Sequence, residues 1–157
     1  MIIDKLLQIS DAQAVTATAV GTNVIDIEVA RSIGSGTPLA MVFSVGVAAD
    51  QTSSDEDYTF NVEIATNAAQ STGVQLWGSR VFESGTPDAP AQDADLLVVG
   101  FVFAIPLPPV TQAETGQFIG VRYVTAGSSP TITVDAWLAP LMDVAQYVSY
   151  PDNVTIT

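Results

Sequence analysis

Apolar and polar positions alternate with period two along most of this chain, and the 3.6-residue spacing of an amphipathic helix hardly occurs. In Tyr58 to Ile64, Tyr58, Phe60, Val62 and Ile64 share one face while Thr59, Asn61 and Glu63 share the other. Such a run predicts a strand with one buried and one wet face. Leu39 to Val47 repeats the pattern, with Leu39, Met41, Phe43, Val45 and Val47 on one side. Thr131 to Leu138 repeats it again with Ile132, Val134, Ala136 and Leu138 inward, and Ile119, Val121 and Tyr123 mark a further strand.

Other segments are less regular. Leu96 to Ile105 is apolar on both faces, which predicts either a central strand in a sheet covered on both sides or one that buries its second face against another chain. Val74 to Phe82 contains Gly78, where a bulge is expected to switch the parity of the inward set. Gln13 to Val20 and Val24 to Val29 complete about eight strands, with short helical turns expected near Asp4 to Leu7 and Leu141 to Tyr147. Turn-rich stretches such as Gly34 to Pro38, Asp50 to Asp57 and Gly127 to Pro130 separate them. Eight such strands predict a sandwich or a barrel, and a two-sheet, all-β jelly roll of antiparallel strands fits the count.

At 157 residues, with no internal linker, the expectation is a single jelly-roll domain over residues 1–157. Hydrophobic residues make up 48% of the chain, too many for a disordered one, and the longest apolar run falls well short of a membrane span. Asp4 and Lys5 interrupt the apolar start at once, so no secretory leader is expected and the expected compartment is a cytoplasm. Four basic residues, Lys5, Arg31, Arg80 and Arg122, stand against seventeen acidic ones, for a formal charge of −13. Dispersed cations in so acidic a chain exclude nucleic acid and anionic membrane as expected partners. The acidity keeps the protein soluble; a sharper reading is that it works beside packed nucleic acid without sticking to it.

The chain has no Cys and no His, which removes thiolate nucleophiles, Ser-His and Cys-His systems and the commonest metal ligand. No segment has the Lys and the strand-to-helix setting of a phosphate loop. Carboxylate pairs remain, as in glycosidases, and Glu63 and Asp135 on strand wet faces are the best candidates; a solvated strand face is the ordinary place for both. No catalytic, cofactor or metal site is assigned, and the chain is read as a non-enzyme. Two acidic loops, Asp50 to Asp57 and the Asp88, Asp93, Asp95 cluster, offer hard oxygen ligands for calcium but lack EF-hand spacing, so a solvated turn is the plainer reading.

Aromatic residues point toward binding. Trp137 falls on the face opposite Ile132, Val134 and Leu138, where it serves an interface, stacks on a sugar, or is covered by its own C-terminal segment. Trp77 beside Gly78 is equally open. Tyr147 and Tyr150 lie in a tail, residues 146–157, that is expected to dock on something.

Several stretches carry a resemblance. They are Met1-Ile2-Ile3-Asp4-Lys5-Leu6-Leu7, Ser10-Asp11-Ala12-Gln13-Ala14, Thr22-Asn23-Val24-Ile25-Asp26, Arg31-Ser32-Ile33-Gly34 with Gly36, and the strand from Pro38 to Val47. Ile105-Pro106-Leu107-Pro108-Pro109, Thr131 to Leu138 and the ending from Gln146 continue it. Together they resemble the tailed-phage capsid cement, or decoration, proteins of the Bbp16-like family, nearly end to end and most weakly over Val74 to Asp95. The resemblance implies a jelly roll that adds to the outside of an icosahedral head as a dimer or trimer and bridges neighbouring major capsid protein subunits. On this reading residues 1–12 form a contact arm and 146–157 a docking tail, with Ile2, Ile3, Leu6, Leu7, Trp137, Tyr147 and Tyr150 as interface residues. The competing expectation is a carbohydrate-binding jelly-roll module of a phage fibre or surface-binding protein.

Overall fold

A computed structural model describes residues 5–28, 37–53, 55–83, 96–108 and 116–144. A single 3-10 turn, Lys5–Leu7, precedes nine strands: β1 Gln8–Val15, β2 Ala19–Val20, β3 Ile25–Asp26, β4 Leu39–Val47, β5 Asp57–Ala65, β6 Gln75–Glu83, β7 Val102–Pro106, β8 Phe118–Ala126 and β9 Ile132–Pro140. A four-residue helix, α1 Leu141–Val144, follows.

The strands form two antiparallel sheets, ordered β1-β9-β4-β7 and β2-β8-β5-β6, with β3 also pairing β8. Taking β2 and β3 as one interrupted strand, the first strand pairs with the last, the second with the penultimate, β4 with β7 and β5 with β6. That is one long hairpin rolled into two layers, the topology of a jelly roll.

The alternation seen in the sequence is what fills the space between the layers. Met41, Phe43 and Val45 of β4, with Ile132, Val134 and Ala136 of β9, face Tyr58, Phe60, Val62 and Ile64 of β5 and Ile119, Val121 and Tyr123 of β8, in one buried cluster. Phe60 lies at its centre, edge-on to Phe43, Phe82, Phe103 and Tyr123 at centroid distances of 5.0 to 5.7 Å. Such contacts contribute about 0.5–1.5 kcal/mol each beyond area burial.

The expected bulge is present: the β5–β6 register slips where Val62 faces Gly78 and Glu63 faces Leu76, leaving Trp77 extra. Gly78, Arg80 and Phe82 point inward on its C-terminal side, and Trp77, the extra residue, also packs on the core. Only glycine fits at 78, because a Cβ there would lie 2.5 Å from Ile105 Cγ2.

Two boundaries differ from expectation. The first strand begins at Gln8, not Gln13, so residues 8–12 are ladder rather than arm. A second bulge at Ala12, in the left-handed region at φ 45°, hides this strand's alternation from the sequence. The two-faced run 96–105 is strand only from Val102: Leu97 is buried, but residues 98–101 turn, with Phe101 N–H donating to Val98 O at 3.0 Å and Gly100 at φ 85°. A continuous apolar run carries no period with which to distinguish a strand from a buried bend.

Candidate functional site

The two outer faces of the sandwich differ in chemistry. On the β5–β8 side several polar outward residues are bonded to one another. Arg122 Nε–H donates to both Glu63 oxygens at 3.0 Å, an Arg122 terminal N–H donates to Gln70 O at 2.5 Å, and Ser79 Oγ–H donates to Asn61 Oδ1 at 2.7 Å. Glu63 is only 6% exposed, because the 66–73 loop folds back and lays Gln70 over Gly120, its ladder neighbour.

On the β4–β9 side the outward residues toward α1 are apolar. Trp137, Val42 and Ala104 form one row across three strands, and Ala139 and Ala40 sit in the next, beside Pro106. Ala40, Val42, Trp137, Ala139 and Val144 make a second buried cluster with Val102 and Ala104 at its margin. Trp137 is therefore on the predicted face but not in solvent. It is 5% exposed, packed in this cluster with Val144 of α1, so as placed it offers no open platform for a sugar. Trp77 is half-buried against the main core.

The two carboxylates singled out for acid–base work do not converge. Glu63 is on the outer face of one sheet, paired with Arg122; Asp135 is on the outer face of the other, accepting from Ala12 N–H at 2.6 Å. Asp135 thereby satisfies the backbone donor that the first-strand bulge frees.

In the 50–57 loop three acids hold the local backbone: Glu56 and Asp50 bond within the loop, and Asp55 ties it to Ser128. Glu56, wholly buried, accepts from Ser53 and Asp55 N–H at 3.1 and 3.2 Å, and Asp55 accepts from Ser128 N–H and Oγ–H. Asp50 accepts from Thr52 N–H and hydroxyl, bonds that hold its carboxyl below the ordinary aspartate range. Among the described residues no three carboxylates gather as a metal site would require. Asp88, Asp93 and Asp95 lie outside the described residues, and no described helix is long and apolar enough to cross a membrane.

Of the residues expected at an interface, Leu6 is 83% exposed and Leu7 packs half-buried against the core. Ile2, Ile3, Tyr147 and Tyr150 lie outside the described residues. Further exposed aliphatics are Val98 and Val99 in the turn before β7, Leu76 and Val81 on β6, and Met142 on α1.

Sequence reasoning missed Arg80. It points inward on β6, its guanidinium 4.6 Å from the Phe82 ring centroid and 5.4 Å from that of Phe103. The signal was there: Arg80 has the same parity as Phe82 and Gly78, an odd place for a cation unless aromatic faces receive it.

Comparison with known proteins follows this geometry closely in extent. The model of the Bbp16 family matches residues 9–138, from the first residues of β1 nearly to the end of β9. No curated protein matches the sequence. Among solved structures, a chain in "Structure of infectious bursal disease virus Gt strain" is similar at 13% identity and a TM-score of 0.37, over 84% of this chain. This chain spans 30% of that one's length, and a likeness so distant carries no argument.

Proposed function

The chain belongs to the Bbp16 family, and from that premise we propose that it is a structural virion protein that binds the outside of an icosahedral phage head and cements neighbouring major capsid protein subunits. The observation that carries this reading is the extent of the family match, which runs from within β1 to within β9 and so spans the described sandwich rather than a local motif.

The physical logic is consistent with a part that binds and does no chemistry. A jelly roll closed by a large aromatic core is a rigid block, so contact energy is not spent on ordering it. A ligand that binds only the assembled lattice stabilises that lattice by mass action against the outward pressure of packaged DNA. If the protein is a dimer or trimer, several modest patches act together through effective concentration. The formal charge of −13 keeps unbound copies off the DNA while heads mature.

The test is to mix the purified protein with undecorated heads and with isolated capsid subunits. Retention on heads, absence from subunits and raised heat resistance of the decorated particle are expected. No retention on any head, with saturable binding to a glycan instead, would replace this reading by the carbohydrate-binding one.

A further inference from the structure

Strand β7 ends the β1-β9-β4-β7 sheet, and its outer edge has no neighbouring strand among the described residues. Val45 N–H donates to Phe101 O and Leu107 N–H donates to Leu39 O, so the odd positions of β7 bond to β4. The N–H and C=O groups of Val102 and Ala104 therefore face away from the sheet, where an added strand would pair with them. Beside this edge runs a groove of about 430 Å³, lined by Val102, Ala104 and Pro106, by Leu141 and Val144 of α1, and by Arg80 of β6.

The two sides of the edge differ in chemistry. Val102 and Ala104 flank the outer apolar cluster with Val144, whereas Phe103 and Ile105 belong to the core between the sheets. Arg80 is on that inner side, its guanidinium 4.6 Å from the Phe82 ring centroid and 5.4 Å from that of Phe103. Among the described residues no carboxylate lines the groove or pairs with Arg80, although the chain has seventeen acids. An apolar wall thus meets one positive charge already held by two rings, a setting that receives a carboxylate at small cost in ordering. Successive side chains of an added strand point to opposite faces. An occupant therefore sets two apolar residues, at i and i+2, on the wall and an acidic residue between them on Arg80.

A second copy fits this edge poorly. Pairing β7 with β7 antiparallel about Ala104 sets Val102 against Pro106 of the second copy, which has no N–H to donate, and brings two Arg80 side chains to one seam. Centring the pair on Val102 sets Ala104 against the 98–101 turn instead. A segment of another protein carries neither handicap.

We propose that the β7 edge and its groove bind an extended segment of a partner protein in which an acidic residue stands between two apolar ones. Its backbone pairs with Val102 and Ala104, and its carboxylate meets Arg80. On the capsid reading that segment is part of the lattice, but the groove is testable without a head.

The probe is the peptide acetyl-Ser-Thr-Val-Glu-Val-Thr-Ser-amide, titrated to millimolar concentration into isotope-labelled full-length protein, beside the same peptide with Gln in place of Glu. Shifts of the Val102 and Ala104 amide NMR signals are expected, with the Gln peptide binding about five- to tenfold more weakly. Arg80→Leu should abolish that preference; if this variant does not fold, the Glu and Gln peptides on the natural protein decide the matter. No shift at these amides, or equal binding of the two peptides, would overturn the proposal. Amide exchange in the free protein separates the other occupants. Slow exchange of Val102 and Ala104 at every dilution would mean that the protein's own chain fills the groove, and slow exchange lost on dilution that a second copy does; either overturns the proposal. Protein that stays on heads yet ignores the peptide would overturn the groove assignment and leave the capsid reading standing.

Discussion

Arg122 places one N–H 3.0 Å from each carboxylate oxygen of Glu63, across the β5–β8 ladder and beneath the 66–73 loop. The pair sits where the alternation of β5 puts a wet face, yet Glu63 is nearly buried, because the loop that follows β5 returns over it.

Removing one partner should therefore cost more than removing both. Arg122→Leu leaves Glu63 without its counter-ion and is expected to lower stability by about 2–4 kcal/mol, discounted from the fully buried case because Arg122 is partly exposed. The double variant with Glu63→Leu should recover part of that loss. Urea unfolding of the three proteins checks it, and a double variant as unstable as the single one would contradict the account.

Alkaline pH should unfold the protein through its buried phenols. Burial pushes the Tyr123 hydroxyl well above the ordinary tyrosine value of 10.0, although its bond with Ser10 Oγ at 2.8 Å acts the other way, and burial also raises Tyr58. A folded-state value above the unfolded one means that the native state holds its proton longer. Stability is then complete below about pH 10 and falls as pH rises beyond it. Phenolate absorbance should show Tyr123 titrating together with loss of near-UV dichroism; titration of all four tyrosines in an intact fold would count against burial as the cause.

Gly127 is required by its own conformation and by what it touches. Its φ is 92°, and a Cβ there would run into the backbone of Asp55 and Glu56. Gly127→Ala should cost about 2 kcal/mol or more, through left-handed strain and displacement of the 50–57 loop. A fall in melting temperature of less than a degree would mean that the loop moves freely.

Ala12 makes the opposite prediction. It occupies the left-handed region without being glycine, so Ala12→Gly should be neutral or stabilising by up to about 1 kcal/mol. Asp135→Ala should destabilise, since it takes away the acceptor of the Ala12 N–H. If both variants lower the melting temperature equally, the bulge is not held by Asp135.

The period-two segments were legible from the chain alone. The bounds of Leu39–Val47 agree residue for residue, although Val47 is exposed past a register shift and Ala40 and Val42 on the expected wet face are buried, and the inward sets of β5, β8 and β9 are the ones the alternation names. The Gly78 bulge was legible too, because a glycine inside an alternating run has few other reasons to be there. The Ala12 bulge was not, since alanine does not advertise positive φ, and β1 was therefore placed five residues late. The two-faced run 96–105 concealed a turn for want of any period.

The candidate surfaces divide in the same way. Sequence by itself determined the fold class, the inward residues, the lack of histidine and cysteine, and a formal charge of −13, because these follow from composition and from which side of a strand each residue occupies. Only the tertiary structure decided that Trp137 is covered, that Glu63 and Asp135 lie on opposite faces, and that Arg80 stacks on two rings beside a groove. Those relationships join residues far apart in the chain, through the order in which a rolled hairpin stacks its strands, and local pattern carries no information about that order.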